Sequence, residues 1–227
     1  MNRELFLNRI TTSLGRERIN NAPNRSTLGV PAHYADHPFG QRAQQGDLPS
    51  EFKLELDLLG GYVEVVDTVL AASDWLTQFL QPHQNETVVT WNRSEFTGWE
   101  VDWLWGNPNV VAPGETDRKE ISPELLSAGI GITGADYAIA NTGSLLLTAA
   151  VGRPRSISLL PAIHVALVRE SQIVARLGQA YELLFKSPIA SSINLISGPS
   201  RSSDIENDLA IGVHGPVSVY VLICREL

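Results

Sequence analysis

An α/β domain with a mostly parallel sheet flanked by helices, preceded by an N-terminal helix and a long loop, is the fold this sequence predicts. Three observations carry the prediction. Short runs of β-branched and aliphatic residues recur, as in Tyr62–Val66, Thr87–Trp91, Val165–Val168 and Ile193–Ile196; bounded by turn residues, such runs read as buried strands. Segments with helical spacing lie between them, among them Ile173–Phe185, where Ile173, Val174, Leu177, Tyr181 and Leu184 share one face. Strands that alternate with helices argue a parallel sheet, and ligands of such sheets collect at the carboxyl ends of the strands.

The elements follow in order. Residues 2–15 carry Leu5, Ile10 and Leu14 at roughly helical spacing, with Gly15 as a stop. Residues 16–50 are rich in Asn, Arg, Gln, Pro and Gly and read as a loop or linker. His33, Tyr34, His37 and Phe39 within it either pin the loop to the body or reach over a site as a lid. Residues 1–50 therefore form an N-terminal helix and linker, and 51–227 the α/β domain. There, Phe52–Leu59 reads as a helix stopped by Gly60-Gly61, and Tyr62–Val66 as a strand. Thr68–Leu80 is a helix closed by Pro82, and Thr87–Trp91 and Asn109–Ala112 are strands. Ser122–Ala128 reads as a short helix opened by Ser122-Pro123. Ser156–Leu160 and Val165–Val168 are expected strands, Ile173–Phe185 a helix, Ile193–Ile196 a strand, Ser203–Ala210 a short helix and Val217–Cys224 a closing strand. Trp91, Trp99, Trp103 and Trp105 crowd into one segment, either as buried packing or as a stacking platform.

Composition removes several classes of function. A formal net charge of −8 argues against nucleic-acid binding, which needs clustered Lys and Arg. No apolar run approaches a membrane span, and the N-terminus lacks the apolar region of a secretory signal. A cytoplasmic location is the resulting expectation. The single cysteine, Cys224, excludes an internal disulfide and a protein-held iron–sulfur cluster, which takes several thiolates.

Three small-residue constellations carry the candidate chemistry. The first is the stretch Gly131–Pro154, with apolar runs Tyr137–Ala140 and Leu145–Thr148 around the turn Asn141-Thr142-Gly143-Ser144. It reads as a β-hairpin, and its turn chemistry also suits an anion or carboxylate. The second is Ser197-Gly198-Pro199-Ser200-Arg201-Ser202-Ser203-Asp204-Ile205-Glu206. Ser203 and Glu206 have capping-box spacing, so a helix N-terminus is expected there. A helix start and Arg201 would together favour an anion. The third is Gly212-Val213-His214-Gly215-Pro216, whose histidine can bind ligand, act as acid or base, or hold the turn. His164, after Pro161, begins a strand in a similar way. The candidate ligand-binding residues are thus Asn141, Thr142, Gly143, Ser144, His164, Ser197, Gly198, Ser200, Arg201, Ser203, His214 and Gly215. His214, Asp136 and Asp204 are the candidate acids or bases. None of the histidines or carboxylates has tight metal-ligand spacing, and neither a Walker A loop nor a GxSxG elbow occurs. No metal site is assigned.

GITGADYAIANTGSLLL (Gly131–Leu147), LLPAIHVALV (Leu159–Val168), ISGPSRSSDIE (Ile196–Glu206) and GVHGP (Gly212–Pro216), in this order and spacing, resemble the lactate-utilisation protein C family, whose shared unit is the LUD domain. RELFLNRITTSLGR near the N-terminus resembles that family's opening helix. The resemblance implies a fold like the NagB/RpiA/CoA-transferase group. It implies an accessory role in L-lactate utilisation, oxidation of lactate to pyruvate with companion proteins, one of which carries iron–sulfur clusters. It fits a chain that holds no cofactor itself and binds a small anionic metabolite. The alternative is a stand-alone isomerase or an acyl/CoA-transferase-like enzyme. One residue departs from the family pattern: the turn usually has an acid before Thr-Gly, and here Asn141 stands there. Asn keeps the hydrogen bonding and cannot ionise.

Overall fold

A computed structural model describes residues 46–112, 123–186, 190–203, 209–211 and 215–226. All of these belong to the unit Gln41–Leu227. The helix expected at 2–15, nearly all of the loop 16–50, and Asp204, Glu206 and His214 lie outside the described residues.

The main sheet has six strands in the order β1-β12-β7-β4-β2-β3, and each neighbouring pair runs parallel. Its strands are β1 (Tyr62–Val66), β2 (Val88–Thr90), β3 (Val110–Val111), β4 (Ile130–Gly134), β7 (Ile163–Arg169) and β12 (Ser218–Cys224). The parallel sheet predicted from the sequence is therefore present. Strands covered on both faces are near-continuous apolar runs, and Val165, Ala166, Leu167 and Val168 of β7 are all buried, as are Val221, Leu222, Ile223 and Cys224 of β12.

Helix α1 (Leu48–Leu58) buries Pro49, Phe52 and Leu56 along one stripe. It ends where Gly60 turns left-handed: Gly61 N–H returns to Leu56 O at 3.0 Å and Gly60 N–H to Asp57 O at 2.9 Å. These two bonds make a Schellman stop. Helix α2 (Val69–Leu80) is opened by Thr68, whose hydroxyl accepts from Ala71 N–H at 3.1 Å. A short helix α3 (Pro123–Ser127) precedes β4. The tryptophan segment is wound into two 3-10 turns, Arg93–Phe96 and Asp102–Gly106. Trp91 and Trp99 are buried in the core with Phe96 and Leu104, so packing is what these two indoles do.

A second sheet has the order β8-β5-β6-β9. Its centre is the hairpin β5 (Tyr137–Ile139) and β6 (Ser144–Thr148), paired antiparallel from Tyr137↔Leu146 to Ile139↔Ser144. The expected hairpin therefore forms. Strand β9 (Ile193–Ile196) pairs antiparallel with β6.

Three expectations are corrected. Ser156–Leu160 is not a strand: α4 (Ser156–Leu159) is one helical turn, with Ile157 N–H donating to Pro154 O at 3.3 Å. Two buried residues, Ile157 and Ser158, suffice for such a turn, and the flanking Pro154 and Pro161 isolate it from either neighbouring strand. The helix expected from Ile173 starts later. Ile173–Val174 form β8, pairing with Ala138 and Ile139 of β5, and α5 runs Leu177–Leu184. Two residues suited to strands at an open sheet edge outweigh the helical spacing there. The helix expected over Ser203–Ala210 is replaced at both described ends by strands. β10 (Arg201–Ser203) pairs antiparallel with β11 (Leu209–Ile211), Ser203 opposite Leu209. Ser203 is therefore not an N-cap. Ser and Asp serve turns as readily as helix starts, which is why the pattern misleads. Strand β4, by contrast, has no strong sequence signal, because two glycines and a threonine dilute its apolar run.

Gly143 joins the two sheets' supports. Its φ is +56°, and an added Cβ would collide with Leu56 N and lie 2.8 Å from Leu56 Cα in α1. Gly143→Ala is expected to cost about 2–4 kcal/mol, from left-handed strain and overpacking against a backbone that cannot retreat. Gly178→Ala, in α5 with nothing within 4 Å of its Cβ position, is expected to be neutral or stabilising by up to about 1 kcal/mol. Urea denaturation of both variants measures the contrast.

Candidate functional site

A cleft of about 490 Å³ opens at the carboxyl ends of β2, β4 and β7, the edge where parallel sheets bind ligands. Its wall is built by chain ends. Trp91 follows β2, Gly134 and Ala135 close β4, and Leu167 and Arg169 close β7. Gln172 ties two of these ends together: its Nε2 donates to Ala135 O at 2.5 Å, and its Oε1 accepts from Arg169 N–H at 2.8 Å. Asp136 and Thr148, at the open end of the hairpin, complete that side.

Four ionised side chains line the cleft, two acidic (Glu95, Asp136) and two basic (Arg153, Arg169). Three of them form one cluster, in which Arg153 is shared by both carboxylates and one negative charge is left over. Asp136 accepts from Arg153 Nη2 at 2.6 Å and from Thr148 N–H at 2.6 Å. Arg153 Nε stands 3.7 Å from Glu95, and the guanidinium lies over the Trp91 ring at 4.4 Å, a cation–π arrangement. Both side chains of the Asp136–Arg153 pair are only 17% exposed. Arg169 differs. Its Nη2 donates to Thr97 O at 2.8 Å, and among the described residues it has no carboxylate partner. The cleft thus offers one fixed, charge-satisfied guanidinium and one whose charge is not met.

The residues singled out from sequence gather elsewhere, at the turn end of the same hairpin. Ser144 Oγ lies 2.6 Å from Ser197 Oγ and donates to Thr142 O at 3.2 Å. Gly198, with φ +86°, sits against Leu59, and Arg201 Nη2 donates to Leu59 O at 2.6 Å, which helps satisfy the C-terminus of α1. Ser200 N–H donates to Pro216 O at 2.8 Å, and Gly215 packs beside Ser200. Among the described residues, the Ser197–Ser203 loop thus touches the Asn141–Ser144 turn through Ser144 and Ser197, and Pro216 through Ser200. Thr142 is exposed, and Asn141 Oδ1 is buried with no hydrogen-bond partner. Of the candidate acids and bases, Asp136 borders the cleft. Asp204 and His214 lie outside the described residues.

The LUD domain family model matches residues 63–224, which spans both sheets and the cleft. The chain belongs to the LUD domain family. Its similarity to individual family members runs almost end to end. It is 31% identical to lactate utilization protein C of Halalkalibacterium halodurans, covering 99% of this chain and 98% of that one. It is 33% identical to the protein of the same name from Exiguobacterium, covering 98% and 96%, and 30% identical to that of Bacillus subtilis, covering 98% and 96%. Among solved structures, a DUF162 family protein from Deinococcus radiodurans superposes with a TM-score of 0.55 at 21% identity, covering 78% of this chain and 96% of that one. That likeness concerns the fold.

Within this LUD domain His164 is part of the core. It is fully buried in β7 between Gly131 and Val219, its Nε2 lies 2.8 Å from Thr133 Oγ1, and its Nδ1 has no partner. It also sits at the amino-terminal end of its strand, away from the cleft. Sequence reasoning missed Trp91, Arg153, Arg169 and Gln172, which come from four separate segments. One signal was available: Arg153-Pro154 and Arg169 each follow the end of a predicted strand, where side chains reach the ligand edge. Among the described residues no group of three His, Cys, Asp or Glu side chains is placed to hold a metal, and no helix is long and apolar enough to cross a membrane.

Burial pushes the His164 imidazole down to about 4 from its ordinary 6.5, so the folded state holds it neutral. The unfolded chain takes up a proton below about 6.5 and the folded chain does not until about 4. Stability from this group is complete above pH 6.5 and falls as pH drops towards 4, by the order of 3 kcal/mol. Urea denaturation from pH 7 to pH 4 should show that decline, and His164→Gln should flatten it.

Proposed function

We propose that this chain serves in L-lactate utilisation as an accessory component that binds a small organic anion and acts with a companion iron–sulfur protein. The observation that carries the reading is end-to-end similarity. The chain and the lactate utilization protein C relatives cover one another over 95% or more of their lengths, so the likeness is not confined to one shared module. Electron accounting supports the partner. Oxidation of lactate to pyruvate removes two electrons and two protons, and a chain with one cysteine, buried in β12, has no thiolate set for a cluster. We place this role in the cytoplasm, and no helix among the described residues is long and apolar enough to cross a membrane.

The test is genetic. Deleting the gene is expected to abolish growth on L-lactate while leaving growth on pyruvate intact, and the wild-type chain should restore it. Undiminished growth on L-lactate would refute the proposal. Turnover of an acyl-CoA or a sugar phosphate by the purified chain alone would instead favour the stand-alone transferase or isomerase reading.

A further inference from the structure

We propose that the cleft at the carboxyl ends of β2, β4 and β7 binds a monocarboxylate, with Arg169 as its counter-ion. The inference deepens the reading above, which calls for a small anion without placing it.

Charge decides the class of ligand. Arg153 is held between Asp136 at 2.6 Å and Glu95 at 3.7 Å, so two carboxylates already face one guanidinium. Arg169, on the same wall, spends one N–H on the Thr97 carbonyl. Its Nε and Nη1 make no hydrogen bond among the described residues. A planar fork with free donors recognises a carboxylate or a phosphate. The four charges that line the cleft sum to zero, so a monoanion paired with Arg169 leaves a single net negative charge there. A phosphate brings up to two charges into a cleft that already holds Glu95 and Asp136, and no second unpaired cation lines it. The cleft therefore selects a monoanion over a dianion.

Position supports the same assignment. Arg169 ends β7, and Gln172 fixes its backbone by accepting its N–H at 2.8 Å. The guanidinium thus projects from a strand end and not from a free loop, which lowers the ordering cost of binding. Apolar walls from Trp99 and Leu184 strengthen a charge-assisted contact by excluding water. Arg201 likewise donates to one backbone carbonyl, Leu59 O, but it does not line this cleft, which Arg169 does.

Isothermal titration of the purified chain with sodium pyruvate, sodium L-lactate and sodium phosphate tests the assignment. Saturable binding of at least one of the two acids is expected, with phosphate failing to displace it at equal concentration. Arg169→Gln should weaken binding about tenfold or more, Arg169→Lys less, and Arg201→Ala not at all. Reaction of arginines with phenylglyoxal, mapped by mass spectrometry on the wild-type chain, gives a readout that needs no variant: pyruvate or lactate should protect Arg169. Binding of neither acid, protection of Arg201 in place of Arg169, or displacement by phosphate would overturn the inference. A chain that binds neither acid yet restores growth on L-lactate refutes the cleft assignment alone. One that binds through Arg169 without restoring growth refutes the role and leaves the cleft standing.

Discussion

The guanidinium of Arg153 is the point on which the ligand edge of this domain depends. It meets Asp136 at the open end of the hairpin, Glu95 in the first 3-10 turn and the Trp91 ring after β2. These side-chain contacts reinforce backbone bonds that already tie the segments, Trp91 N–H to Ile132 O and Asn92 N–H to Gly152 O. Such a buried pair is weak evidence for net stability, since desolvating both charges offsets most of the attraction. What it supplies is position. Thr148 N–H adds a second donor to Asp136, so the carboxylate is satisfied by one charge and one backbone group. Losing either partner would leave a charge with little water to solvate it. The pair also fixes which charge remains for a ligand: because Arg153 is occupied, Arg169 is the cation the cleft can offer.

The hairpin that carries Asp136 is held at its other end by shape. Gly143 lets the turn press on the backbone of α1 at Leu56, and Ser144 reaches Ser197 across the β6–β9 pair. Gly143 follows Asp136 by seven positions, with three-residue β5 between, so the two ends are some 10–15 Å apart at strand rise. A rigid turn seated on α1 and an ion pair at the open end constrain one short ribbon from both sides. Gly143 and the Ser144 hydroxyl, which look anion-friendly in sequence, are used to seat this ribbon.

Much of the fold was legible because single segments carried their own signal. Tyr62–Val66 and Ile193–Ile196 form strands with the predicted bounds, and α2 fills all but the first residue of the predicted Thr68–Leu80 helix. Where the reading failed, the deciding partner lay far along the chain. Ile173–Val174 extend because β5 offers an edge. Arg201–Ser203 do so because Leu209–Ile211 pair with them. β4 escaped notice since Gly131 is needed for the close approach of Ile157 O, and that demand removes the side chain that would have marked a strand. The cleft was hidden for the same reason: Trp91, Arg153 and Arg169 become neighbours only when β2, β4 and β7 align. Convergence of the Ser144 and Ser197 loops was legible, because both are small-residue breaks at strand ends.

Asn141 can now be read in its surroundings. Its side-chain oxygen is buried without a donor, in a turn whose neighbouring hydroxyls are bonded to one another. A neutral amide tolerates that seat at a modest cost, whereas an ionised carboxylate would need a donor or cation that the described residues do not place there. Arg201, in the adjoining loop, donates to Leu59 O. Asn141 thus belongs to a turn that seats the ribbon, and the proposed ligand site lies at the opposite end of the hairpin, beside Arg169.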